Sequence, residues 1–106
     1  MKVVILNPAK QDTKELRNYI VKNFGQEVWQ ETYSNIKQTL LNIKDFPDSG
    51  SIPDELQGFI SNGYRQCISG MNRIIYQKTE DTIYIHLIVD TRRDLTEILT
   101  KRILRK

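Results

Sequence analysis

The sequence predicts an α+β domain: an N-terminal strand and a helical hairpin packed on a mainly antiparallel four-stranded sheet, with a C-terminal helix. Three observations carry this. Trp29, Tyr33, Ile36, Leu40 and Ile43 recur at spacings of 4, 3, 4 and 3, which lines one face of a helix. Ile83, Ile85, Leu87 and Val89 alternate with Tyr84, His86 and Ile88, the period of a strand. Short turns separate the segments between Tyr64 and Val89, and short turns make neighbouring strands antiparallel.

The elements follow in order. Val3 to Leu6 is a β-branched and apolar run, read as the first strand. Asn7-Pro8 stops it, with Asn7 suited to an N-cap and Pro8 to the first helical position. A helix follows from Pro8 to Asn23, its apolar face made by Leu16, Tyr19, Ile20 and Phe24. Gly25 suits the position just past its end. A second helix runs from Gln26 to Ile43, and the single-residue break makes the pair a hairpin. Residues 46–53 carry loop chemistry, two prolines and a glycine among them. Asp54 to Ser61 reads as one helical turn and then coil. Strands are expected at Tyr64–Ser69, Arg73–Lys78 and Thr82–Val89, with turns at Gly70-Met71 and Glu80-Asp81. The last helix starts near Thr91 or Asp94. Asp94 and Glu97 resemble a capping box, Leu95, Ile98, Leu99 and Ile103 make its stripe, and Lys101, Arg102, Arg105 and Lys106 suit its last turns. The hairpin stripe must cover one face of the sheet, giving two layers.

The 106 residues, 39% apolar and 27% charged, fit one soluble domain over residues 1–106. The longest apolar-rich run, Ile83 to Val89, is far short of the ~20 residues that span a bilayer. The start of the chain shows no signal-peptide pattern, and the one cysteine, Cys67, has no internal disulfide partner. Both point to the cytoplasm. The net charge is +3, unevenly placed: residues 62–106 hold 9 Lys/Arg against 5 Asp/Glu, and residues 1–61 hold 7 against 8. A basic C-terminal part suits an anionic partner, either nucleic acid or an acidic protein segment, unless it is only a solvated face. One His, one Cys and no spaced carboxylates offer no metal-ligand set, no Gly-rich phosphate loop is present, and no cofactor is expected.

Several short motifs then line up: Tyr64-Arg65, Asn72-Arg73-Ile74-Ile75-Tyr76-Gln77, Asp81-Thr82-Ile83-Tyr84-Ile85, and Val89-Asp90-Thr91-Arg92-Arg93-Asp94-Leu95, with Pro47 and Gly50 in a P-x-x-G loop. Together with the helical hairpin, in this order, they resemble the RelE/ParE toxin superfamily over nearly the whole chain. The resemblance implies a toxin of a type II toxin–antitoxin system, held inactive by an antitoxin whose C-terminal segment wraps it in a hetero-oligomer. It also offers two activities. RelE-like members are ribosome-dependent endoribonucleases that cut mRNA; ParE-like members poison DNA gyrase.

Residue by residue, Arg73 matches the Arg of the family's third strand, although Asn72 stands where Tyr is usual. Arg92 matches the Arg after the last strand, and Arg65 one of two basic residues on the second strand. The other basic position is Cys67, the position near the nuclease's general base is Ile98, and the usual His before the arginine pair is Asp90. These departures, and the Arg92-Arg93-Asp94-Leu95 entry into a basic helix, favour the ParE-like branch.

RNA cleavage needs a base, an acid and cations around the phosphorane. Arg65, Arg73 and Arg92 could supply the cations and His86, the residue that titrates near neutrality, the base; Tyr76 is a possible acid. That is the alternative reading, a RelE-like nuclease. Against it stand ordinary structural roles: a His in mid-strand, a packed Tyr, and arginines paired with Asp90, Asp94 or Glu80. Under the ParE-like reading Arg65, Arg73, Arg92, Arg93 and Arg102 bind the target. Trp29, Tyr33 and Ile98 are candidate antitoxin contacts, with core packing as the alternative for the first two. A third reading is a nucleic-acid- or protein-binding module without toxicity.

Overall fold

The computed structural model describes residues 1–59 and 63–104. The end of the stretch read as turn and coil, and Arg105 and Lys106 of the expected last turn, lie outside the described residues. The elements are β1 (Lys2–Ile5), α1 (Asn7–Phe24), α2 (Gln26–Asp45), a 3-10 turn (Asp54–Phe59), β2 (Tyr64–Ser69), β3 (Asn72–Lys78), β4 (Thr82–Asp90) and α3 (Leu95–Leu99), which widens into a π turn over Thr100–Leu104.

The sheet order is β1-β4-β3-β2. The β2–β3 and β3–β4 pairs are antiparallel, and β1 lies parallel to the first half of β4, with Lys2 opposite Thr82 and Ile5 opposite Ile85. The helical hairpin between β1 and the rest of the sheet makes this parallel pairing possible, since parallel neighbours need a long crossover. Gly25 joins the two helices at φ 97°, its N–H donating to the carbonyls of Ile20 and Val21, a backbone setting that favours glycine. Asn7 is not the cap of α1. Leu6 holds the extended cap position, no side chain caps the helix, and Asn7 is its first residue.

The expected strict alternation of β4 breaks at one point. Ile75 pairs with Leu87 but Tyr76 pairs with Ile85, so His86 is one extra residue in β4, a β-bulge. A one-residue insertion reverses which face later side chains point to. Ile83 and Ile85 therefore share a core with Ile88, together with Ile36, Ile43, Ile74 and Tyr76 under the hairpin. Leu87 and Val89 turn to the opposite face. There they pack with Leu56, Ile75, Leu95 and Leu99. The reading that put Ile83, Ile85, Leu87 and Val89 on one face, and the helices on one face only, is corrected accordingly: the 3-10 turn and α3 cover part of the second face. Two cores on the two faces also explain why Ile74, Ile75 and Tyr76 are all fully buried.

The loop after α2 is pinned from below. The Tyr76 hydroxyl donates to the Pro47 carbonyl (2.7 Å) and accepts from the Gly50 N–H (3.2 Å), and Arg65 Nη1 donates to the Gly50 carbonyl (2.8 Å). A Cβ at Gly50 would lie 2.5 Å from the Tyr76 hydroxyl and 2.6 Å from the Gln66 carbonyl, so the P-x-x-G loop needs its glycine for space. Burial pushes the Tyr76 phenol up to about 12, keeping it protonated and able to donate.

Candidate functional site

The turn from β4 into α3 is built by two aspartates. Asp90 accepts from the Arg92 backbone N–H (2.7 Å), from its Nε (2.9 Å) and from its Nη2 (2.9 Å). Asp94 caps α3 by accepting from the Glu97 N–H (3.2 Å). Only half of the expected capping box forms, because the Glu97 carboxylate is engaged by Lys101 at 3.2 Å. The Arg92 hydrogen bonds hold the Asp90 carboxyl below the ordinary carboxylate value, and the Asp90 carboxylate raises Arg92 in turn. Arg92 still presents 67% of its side chain to solvent. Arg93 is exposed beside it, and its guanidinium has no hydrogen-bonded partner among the described residues.

The other predicted target-binding arginines are engaged within the fold. Arg73 forks onto Glu55 through both terminal nitrogens (3.1 Å each) and its Nε donates to Gln66 (2.9 Å). Its partner is Glu55, not one of the three acids suggested by the sequence, and its hydrogen bonds hold the Glu55 carboxyl below the ordinary value. Arg65 holds the pinned loop. Arg102 forks onto Asp12 of α1, at 2.7 Å from Oδ2 and 2.5 Å from Oδ1. Five arginines alike in sequence thus divide into three that brace the fold and two, Arg92 and Arg93, displayed on one turn.

His86 is not assembled with the arginines. Its Nε2 lies 3.2 Å from Gln77 Oε1 and its ring meets Tyr64 edge-on at 5.2 Å. Burial lowers its pKa, so it is a neutral side chain filling the bulge. Cys67 is half-buried, and burial pushes its thiol up. Trp29 is buried and stacked on Tyr33 at 5.4 Å, while Tyr33 is 42% exposed under the Lys37 ammonium. Ile98 is half-buried against the α3 core and lines a cleft with Arg93 and Lys101. Among the described residues no group of three His, Cys, Asp or Glu could hold a metal ion, and no helix is long and apolar enough to cross a membrane.

Reading the sequence alone missed Asp12. Its carboxylate is almost fully buried, and besides Arg102 it takes the backbone N–H of Ile88 at 3.1 Å. β1 ends at Ile5, opposite Ile85, so the later half of β4 has no strand on its β1 side, and Asp12 serves as a hydrogen-bond partner there. A signal was available: Asp12 lies four residues before Leu16, in line with the buried stripe of α1. Two clefts run along α1 from this point. One of about 330 Å³ lies between Asp12, Tyr19, Arg92 and Arg93, and one of about 420 Å³ between Tyr19, Phe24, Val28 and Met71.

A helical hairpin on a sheet whose first strand lies parallel to the last, with two arginines displayed on the turn after that strand, has the layout of a RelE/ParE-type toxin fold. The chain belongs to the ParE toxin family of type II toxin–antitoxin systems (parDE), whose profile matches residues 3–95. It is the toxin component of such a system. Among solved structures it is similar to the chromosomal ParDE toxin–antitoxin system from P. aeruginosa, with a TM-score of 0.70 and 16% identity over 85% of this chain and 95% of that one. At that identity the likeness is one of fold. No curated protein sequence matches the chain.

Proposed function

We propose that this toxin arrests growth by trapping DNA gyrase with its DNA cut, and that a cognate antitoxin neutralises it in the cytoplasm as a toxin–antitoxin hetero-oligomer. Arg92 and Arg93 are the target-facing residues; Arg65, Arg73 and Arg102 act indirectly, by holding the frame that presents them. Family membership supports the toxin reading. The single observation that favours gyrase over mRNA is the missing proton-transfer machinery. Cys67 and Ile98 replace a cation and a base, and His86 is neutral, half-buried and bonded to Gln77. A fixed guanidinium on Asp90 and a free one beside it suit an anionic or acidic surface. Tyr33 and Ile98 are the reachable members of the proposed antitoxin contacts, with Trp29 supporting Tyr33 from below.

The test is incubation of the purified chain with gyrase and supercoiled plasmid. Linear DNA after the enzyme is denatured, dependent on both proteins, is the expected result. Active gyrase that yields no linear DNA overturns the gyrase assignment and redirects the search to ribosome-bound mRNA.

A further inference from the structure

The turn that carries Arg92 is tied down through both its backbone and its side chain. β4 ends on Asp90, which pairs with Asn72 at the end of the β3–β4 ladder. The Asp90 carbonyl accepts the Arg93 N–H at 3.1 Å, and the Thr91 N–H donates to the Met71 carbonyl at 2.7 Å. Asp90 Oδ1 takes the Arg92 N–H at 2.7 Å, the Asx geometry that closes a turn with a side chain. These bonds set the backbone, and the same carboxylate then sets the guanidinium. Arg92 Nε donates to Oδ1 and Nη2 to Oδ2, both at 2.9 Å. A guanidinium carries its N–H groups in a rigid planar fork, and this contact occupies the Nε side of it. Asp90 leaves the end of the fork, both Nη1 hydrogens and the second Nη2 hydrogen, to other acceptors. Asp90 raises the Arg92 guanidinium, and the Tyr19 hydroxyl of α1 adds to that rise. Arg92 nevertheless keeps 67% of its side chain in solvent, against 21% for Asp90.

We propose that Asp90 is a positioning residue for target binding: it presets the Arg92 guanidinium so that the end of the fork faces outward, as a clamp for a carboxylate on the target protein. The proposal rests on the gyrase reading above. Asp90 touches no target atom and acts through Arg92. The turn is electrically balanced, since Asp90 and Asp94 offset Arg92 and Arg93. A balanced turn does not draw in a polyanion by charge alone, so recognition rests on the shape of the fork, which a planar carboxylate matches with two parallel hydrogen bonds. A free arginine loses rotamer freedom when it binds, whereas one already immobilised binds without that loss. Arg93 has no such hold among the described residues. The two arginines therefore differ in kind: Arg92 supplies direction and Arg93 supplies charge.

The test titrates fluorescently labelled toxin with purified gyrase by anisotropy, and measures growth inhibition at matched toxin levels. Asp90→Asn keeps Oδ1 for the Arg92 N–H and loses the acceptor for Nη2. It should unfold close to the wild-type temperature and bind about tenfold more weakly, the factor set by ordering one long side chain. By charge alone, removing a carboxylate beside an anion-binding face strengthens binding, so the sign of the change separates positioning from charge. The loss should persist in an Arg93→Ala background and vanish in an Arg92→Ala background, where nothing is left to position. Arg92→Lys, which keeps the charge without the fork, should bind no better than Arg92→Ala. Unchanged or tighter binding by Asp90→Asn overturns the proposal. So does an equal loss in the Arg92→Ala background, because the aspartate then acts on the turn and not through the guanidinium. Wild-type affinity in Arg92→Lys overturns the fork, and binding that appears only when DNA is added overturns the choice of a protein carboxylate. If the wild-type chain binds gyrase neither alone nor with DNA, the gyrase reading falls, and the same variants ranked by growth inhibition decide the role of Asp90.

Discussion

Asp12 and Arg102 are 90 residues apart and meet across the open edge of β4, the guanidinium forked onto a carboxylate whose Oδ2 also holds the Ile88 N–H at 3.1 Å. One side chain of α1 thus hydrogen-bonds the open edge of a strand and ties down the C-terminal helix that brings Leu95 and Leu99 to the second core.

Asp12→Ala should therefore be strongly destabilising. Removing one partner of a buried pair costs ~3–5 kcal/mol; with Arg102 partly exposed, about 2–3 kcal/mol is expected. Thermal unfolding should fall by roughly 10–20 °C, with Arg102→Met at least comparable because it strands the Asp12 carboxylate, the buried member of the pair. A change in Tm of only a degree or two would mean that solvent replaces the clamp freely.

Gly50→Ala is expected to destabilise by about 1–3 kcal/mol through overpacking, since the added methyl meets the Tyr76 hydroxyl and the Gln66 carbonyl. Tyr76→Phe should cost about 1 kcal/mol by removing hydrogen bonds to the part-buried Pro47 carbonyl and Gly50 N–H. The double variant should cost less than the sum, because removing the hydroxyl relieves the clash at Gly50. Chemical denaturation of the four proteins measures this coupling, and strict additivity would refute the shared cause.

The Arg92→Ala/Arg93→Ala double variant should unfold at nearly the wild-type temperature and lose growth inhibition. Arg73→Ala should do the reverse in kind, acting through stability because it strands Glu55. Undiminished inhibition by a folded double variant would remove these two residues from the target face. His86→Gln should keep full inhibition.

Stability should decline from near-neutral pH toward acid in two stages. Burial lowers His86 below its ordinary 6.5. The unfolded chain then binds the proton first, so its contribution is complete above pH 6.5 and is lost as the pH falls through the depressed folded value. Glu55, lowered from 4.5 by the Arg73 hydrogen bonds, contributes above its unfolded value and loses that contribution below it. Urea midpoints followed from pH 8 to pH 3 should show a first decline that His86→Gln removes and a second that Glu55→Gln removes. A wild-type profile unchanged by His86→Gln would show that the ring protonates alike in both states.

Deleting His86 should leave a folded protein. Without the extra residue β4 alternates regularly, so Ile83, Ile85 and Ile88 stay in the core under the hairpin and Leu87 and Val89 stay in the second; only the contacts of the His86 ring with Gln77 and Tyr64 are lost. Inserting a second residue beside His86 should instead exchange the faces of Leu87, Ile88 and Val89 and abolish cooperative unfolding. The opposite ranking of the two variants would refute the bulge as the device that sets the faces.

Local spacing by itself determined most of the architecture. The stripe from Trp29 to Ile43, the glycine hinge at Gly25 and the short turns of the last three strands each follow from neighbours in sequence, and so does the resemblance that led to the family. The two displayed arginines were in the predicted set, but so were the three that brace the fold. Which is which depends on Glu55, Asp48 and Asp12, brought to them from 17 to 90 residues away. The bulge at His86, the parallel seat of β1, the second core under α3 and the two clefts along α1 were likewise decided by tertiary structure alone. The physical reason is the same in each case. Periodicity reports which residues are apolar, whereas pairing register, the face a side chain turns to and the partner that neutralises a charge are set by contacts between distant segments competing for one core.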